Sequence, residues 1–227
     1  MSSSPPRNYQ IEELMGGIQR PLPAMQRRPL RVIAEFLTEA WNGLLATQEQ
    51  VLRTKEEKEV NTLMDSRLNC LFEQKPEWKM LITGVSRGRE SINYDGSKLE
   101  KRPDLSIHLT CRPSRLPLIV ECKLVDARNG KGIDLYCRNG LARFIDGEYA
   151  WYAQEAFMLA YVRDGATISA DLIPYLAKYH HKGPDPFLTE QLPQSLTPSI
   201  QNLGQSRHRR QFPNSPGPIS ILHLWLI

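Results

Sequence analysis

Asp104, Glu121 and Lys123 are charged residues set in stretches that otherwise read as buried. Arg102-Pro103-Asp104 opens a strict alternation, with Leu105, Ile107 and Leu109 set against Ser106, His108 and Thr110, the period-2 pattern of a half-buried β-strand. Residues 111–117, rich in proline and polar groups, supply a turn. Leu118 to Val125 is a second, strongly apolar strand, broken only by Glu121 and Lys123, which share a face with Ile119. An antiparallel hairpin brings Asp104 near Glu121 and Lys123, so that two carboxylates and one ammonium meet on an apolar surface. Charge in such a place is costly unless it is paired or holds a metal. Two oxygen donors at one point suit a hard cation such as Mg²⁺, with Mn²⁺ the alternative. A lysine beside that cation can orient or deprotonate an attacking water. The competing reading is a buried carboxylate–lysine pair without chemistry.

Pro103-Asp104, a gap of strand and turn, then Glu121-Cys122-Lys123 resembles the PD-(D/E)xK nuclease superfamily, whose pattern is Pro-Asp on one strand and Asp/Glu-x-Lys on the next, usually with an apolar x. Cys122 takes that middle place here. The resemblance covers roughly residues 50 to 165 and rests on few fixed residues. It implies an α/β, restriction-endonuclease-like core: a small mixed sheet of four or five strands flanked by helices. It also implies a Mg²⁺-dependent endonuclease acting on DNA, in bacterial restriction or anti-phage defence. Asp104, Glu121 and the carbonyl of Cys122 would bind the metal, and Lys123 would orient the water. An RNase or nuclease toxin of the same fold, or a catalytically silent relative that binds nucleic acid or a protein partner, are the alternatives.

Several elements must position these groups. Leu30 to Leu45 has apolar residues at helical spacing, and its stripe is expected to pack within the chain. Residues 47–75 read as a longer helix on which Glu57 lines up with Val60, Met64, Leu68 and Leu71. Nucleases of the resembled superfamily often carry an acid on the helix before the sheet, and Glu57 is the candidate, with Glu59 second; a solvated helix face is the competing reading. Trp78 to Val85 reads as the first strand. The loop over 86–102 carries Arg87, Arg89 and Arg102, which can contact phosphates. Tyr136 and Arg143 lie in a glycine- and aromatic-rich segment and can reach the DNA backbone, with Arg143 alternatively holding the turn. Tyr149 to Val162 reads as a helix crossing the sheet, residues 168–181 as a short helix, and 183–204 as a loop or tether. Arg207, Arg209 and Arg210 belong to the densest basic cluster, a phosphate contact or a free tail. Ser220 to Ile227 reads as a final strand. His208 and His223 are assigned to structure, since no nucleophile stands at a recognisable interval from them.

The chain divides into an extension over 1–46, partly disordered with one amphipathic helix, and a nuclease-like domain over 47–227. At 41% hydrophobic and 24% charged residues it has the composition of a globular domain. No apolar run reaches the length of a membrane span, and no signal-peptide core follows Met1, so a cytoplasmic location is expected. Cys70, Cys111, Cys122 and Cys137 show no zinc spacing. A net charge of +4 permits nucleic-acid binding. The absence of ATPase and methyltransferase glycine motifs points to a homo-oligomer or a partner defence protein.

Overall fold

The two alternating stretches form paired strands, and five more strands join them in one mixed sheet of seven. The computed structural model describes residues 9–88, 92–97, 102–180, 183–198, 200 and 202–227. Helices α1 (Tyr9–Met15), α2 (Arg27–Thr54) and α3 (Glu57–Gln74) precede strand β1 (Ile82–Arg87). Strands β2 (Leu105–Leu109) and β3 (Leu118–Val125) follow, then α4 (Ile133–Tyr136), a π-helical turn at Cys137–Leu141 and α5 (Ala142–Ile145). Strand β4 (Glu155–Val162) leads to α6 (Ile173–His180), β5 (Thr189–Ser195), β6 (Leu203–His208) and β7 (Ile219–Leu226). The spatial order is β1-β2-β3-β4-β7-β6-β5. β3, β4 and β7 run parallel, and the remaining pairs are antiparallel. Seven strands exceed the expected four or five: β6 starts at the end of the expected tether and runs into the basic cluster read as a phosphate contact or free tail, and two further segments hid theirs.

The first is 149–162, expected to be helical. Its second half is β4, buried along its whole length and parallel to both neighbours. A central strand covered on both faces shows no polar alternation, and its alanines and aromatics fit a helical period equally well. The second is 183–204, expected to be a tether. It contains β5, a sheet edge, where Pro193 is tolerated because no outer strand needs its missing N–H. Ser220 to Ile227 does form a strand, but β7 lies inside the sheet between β4 and β6.

Both faces are covered. Leu30, Ile33, Phe36, Leu37, Trp41 and Leu44 of α2 join Val60, Met64 and Leu68 of α3 against Val120, Cys122 and Leu124 of β3. The apolar stripe of α2 is thus covered within the chain. Its break comes later than residue 46: the helix bends at Gln48 and ends at Thr54, and Glu56 and Glu59 form a capping box that starts α3. The opposite face packs on α1, α4, α5 and α6. Ile11, Met15 and Leu22 are buried there, so the extension expected to be partly disordered is docked from α1 onward, while residues 1–8 lie outside the described residues.

A closed polar chain runs through this second core. Tyr136 Oη is 2.8 Å from His223 Nδ1, Ser206 Oγ is 2.7 Å from His223 Nε2 and 2.6 Å from His208 Nε2, and His208 Nδ1 is 2.8 Å from the Phe187 carbonyl. One set of neutral tautomers satisfies every link: Tyr136 donates to His223, His223 to Ser206, Ser206 to His208, and His208 to the carbonyl. Tyr136 is therefore a core residue, and the expected reach toward DNA is corrected. Among the described residues, no helix is long and apolar enough to cross a membrane.

Candidate active site

The site forms where β2 leaves β3. Their ladder pairs Leu105 with Val120, Ser106 with Ile119 and Ile107 with Leu118, and goes no further. From Glu121 onward β3 keeps β4 on one side but has no strand on the other. Buried amides and carbonyls cannot stay unpaired without a cost of about 1–3 kcal/mol each, and side chains take the strand's place. The Cys122 N–H donates to Asp104 Oδ2 at 2.9 Å, and the Leu124 N–H donates to Glu57 Oε2 at 2.8 Å. The Cys122 carbonyl accepts from Lys123 Nζ at 2.7 Å. The main chain of one strand thus sets the positions of two carboxylates and one ammonium.

Lys123 Nζ lies 2.8 Å from Glu121 Oε1, 3.1 Å from Glu57 Oε1 and 3.8 Å from Asp104 Oδ2. Exposure grades across the cluster. The Glu121 side chain is fully buried, Asp104 is 23% exposed and Glu57 32%, so the notch opens on the side of Asp104 and Glu57. Burial, reinforced by the charge of Asp104, pushes the Glu121 carboxyl up to about 8. Burial also raises Asp104, against the pull of Lys123. For Lys123 burial works toward a lower pKa, but Glu121, Asp104 and Glu57 outweigh it and keep the amine charged.

The structure brings together Asp104, Glu121, Lys123, Glu57 and the Cys122 carbonyl, as the sequence led us to expect. Glu59 stays outside, paired with Lys55 on the exposed start of α3. Arg143 reaches the cluster by another route than expected. It donates to Glu121 Oε1 at 2.9 Å and to Tyr149 Oη at 3.0 Å, and Tyr149 in turn donates to the Arg102 carbonyl at 3.0 Å. Arg87 and Arg102 line a cleft of about 380 Å³ with Lys58, Gly88, Pro103 and Asp104, and Arg87 is tied to Thr62 Oγ1 and to the Lys58 carbonyl. Arg89 lies outside the described residues.

The C-terminal basic cluster is not at this site. Arg207 is on β6, with β4 and β7 between it and β3, and pairs with Glu190 at 3.1 Å. Arg209 is exposed beside Asp185 and Thr189. Arg210 is no phosphate contact: it is buried and donates to the carbonyls of Ala150, Trp151 and Ala153.

Two residues had escaped sequence reasoning. Asn61 Nδ2 donates to Asp104 Oδ1 at 2.8 Å and fixes that carboxylate; it stands one helical turn after Glu57, a spacing that places both on one face of α3. Gly140, in the π-helical turn, lets that turn lie against the lysine stem, since a Cβ there would sit 2.5 Å from Met158 Cε and 3.4 Å from Lys123 Cγ. Only the fold reveals that approach.

The donors fit a hard divalent cation: carboxylates of Asp104 and Glu121 and a strand carbonyl, all oxygen. Glu121 Oε2 is buried without a hydrogen-bond partner, an acceptor left over in the cluster. Among the described residues, no group of three or more His, Cys, Asp or Glu side chains is arranged to hold a metal by itself; the carboxylates converge on an ammonium instead. The chain matches no family model, no curated protein and no solved structure.

Proposed function

We propose that the protein is a metal-dependent nuclease of PD-(D/E)xK type, with β1 to β4 and their flanking helices as a restriction-endonuclease-like core, hydrolysing phosphodiester bonds of DNA. The observation that carries this reading is the meeting of Asp104, Glu121, Lys123, Glu57 and the Cys122 carbonyl at one partly open point on β3. Asp104, Glu121 and the carbonyl would hold a Mg²⁺ or Mn²⁺ ion. When bound, such an ion stabilises charge developing on the phosphoryl oxygens and makes water a better nucleophile. Lys123 orients the attacking water and places positive charge beside the phosphate. Glu57 holds the Leu124 amide and keeps α3 against the notch. Arg87, Arg102 and Lys58 anchor neighbouring phosphates in the cleft that leads to Asp104. A role in restriction or anti-phage defence follows from the sequence resemblance alone.

A second reading has its own support. Lys123 and Arg143 already neutralise much of the carboxylate charge, as in a structural ion cluster on a catalytically silent, nucleic-acid-binding or protein-binding fold. Asp104→Ala and Lys123→Ala separate the two when each is assayed with Mg²⁺ on duplex DNA, single-stranded DNA and RNA. The nuclease reading expects cleavage by the unaltered chain and its loss in both folded variants. Cleavage of RNA alone would move the assignment to an RNase, and no Mg²⁺-dependent cleavage of any substrate would favour the silent fold.

A further inference from the structure

Lys123 stands where the proposed cation would bind. An ammonium has three N–H donors, and here they face the Cys122 carbonyl at 2.7 Å, Glu121 Oε1 at 2.8 Å and Glu57 Oε1 at 3.1 Å. Asp104 Oδ2, at 3.8 Å, is left beyond hydrogen-bond distance, and Glu121 Oε2 has no partner. The amine therefore fills the position without saturating it. A divalent ion with six coordination positions can use the oxygens that the ammonium leaves over, but the two cations cannot share one point.

We propose that Lys123 is a built-in competitor for the divalent ion, and that the ion binds by displacing the ammonium toward the basic cleft. This rests on the metal-dependent reading above. The route follows from packing. The turn at Gly140 packs against the base of the lysine, where an added Cβ would lie 3.4 Å from its Cγ. Only the distal carbons are left to swing. Exposure increases from Glu121 toward Asp104 and Glu57, so the amine leaves on that side, where Asp104 borders the cleft. A displaced ammonium gives up Glu121 and the Cys122 carbonyl and needs an anion in their place. A phosphodiester in the cleft supplies one, so phosphate and divalent ion favour each other's binding, with Lys123 carrying the linkage.

Mn²⁺ binding, measured by electron paramagnetic resonance on the full chain, Lys123→Met and Arg143→Met, tests this with and without a short phosphodiester dinucleotide. Lys123→Met should bind Mn²⁺ roughly tenfold more tightly or better, and Arg143→Met, which removes a cation that touches only Glu121 in the cluster, less than about threefold. The dinucleotide should tighten Mn²⁺ binding to the unaltered chain but not to Lys123→Met. Equal gains in the two variants, or none in Lys123→Met, overturn the competition while leaving a metal site in place. Failure of every form to bind Mn²⁺ overturns the metal-dependent reading together with it. Should Lys123→Met not fold, amine labelling of Lys123 in the unaltered chain, read by peptide mass spectrometry, decides: Mg²⁺ should raise labelling severalfold, and an unchanged rate refutes displacement.

Discussion

Two buried polar clusters sit in one sheet and differ in how they end. The chain Tyr136–His223–Ser206–His208 is built on β6 and β7, whose ladder is continuous, and it closes on the Phe187 carbonyl. It carries no charge: burial lowers His208 to about 4, and His223 lies well below its ordinary value for the same reason. The cluster on β3 is built where a ladder stops, brings together three carboxylates with Lys123 and Arg143, and leaves Glu121 Oε2 unpaired. A satisfied neutral network contributes rigidity and a unique packing. A charged one with an acceptor to spare retains capacity for something that the chain does not itself supply.

The sharpest way to break this comparison is Glu121→Gln, which keeps shape and burial but removes the charge. Mg²⁺-dependent cleavage should fall by about a thousandfold or more, with the thermal midpoint little changed; substantial residual cleavage would place the carboxylate with the structural groups. Ser206→Ala is the matching cut in the closed network. It strands two buried imidazole nitrogens, and urea unfolding should show a loss of about 2–4 kcal/mol, with the cleavage rate per folded molecule unaltered. A negligible loss would mean that the network is not the tight unit described.

The pH dependence of stability sharpens the same contrast. An unfolded His208 takes up its proton near 6.5, whereas the folded one resists until about 4. Between these values the unfolded chain binds more protons, so stability is intact above 6.5 and is lost as pH falls through about 4. The contribution of His208 is on the order of 3 kcal/mol, and thermal melts of His208→Gln across this range should show a flatter slope than the unaltered chain. The smallest effect is expected at a buried hydroxyl beside the notch. Tyr149→Phe removes the hydroxyl between Arg143 and the Arg102 carbonyl, and should lower cleavage about two- to fivefold and stability by less than about 1 kcal/mol.

Much of the candidate site was legible because its information is local. The alternation over 105–109 and the apolar run over 118–125 define a hairpin whose register alone brings Asp104 to Glu121 and Lys123. Glu57 was legible because helical spacing aligns it with the buried face of α3. What stayed hidden depends on distant partners. Nothing within 149–162 says that β4 will be covered on both faces and therefore lose its alternation. Arg210 lies in a run of basic residues and looks solvated, yet the carbonyls that bury it come from residues 150–153. Arg143 was read as a DNA contact or a support of the turn, and its pairing with Glu121 needs the fold of α5 over β3.

Cys122 serves the notch through its amide and carbonyl, while its thiol is buried on the other face among Val120, Leu124 and the side chains of α2 and α3. The two halves of this residue therefore answer to different masters. Replacing the side chain with a valine isopropyl or an alanine methyl should alter how the helices sit and leave any Mg²⁺-dependent cleavage in place, and alkylating reagents should find nothing there to modify in the folded chain. The middle letter of the Glu-Cys-Lys triplet is thus set by the hydrophobic layer behind the sheet, while the proposed chemistry would read only the backbone that every amino acid but proline provides.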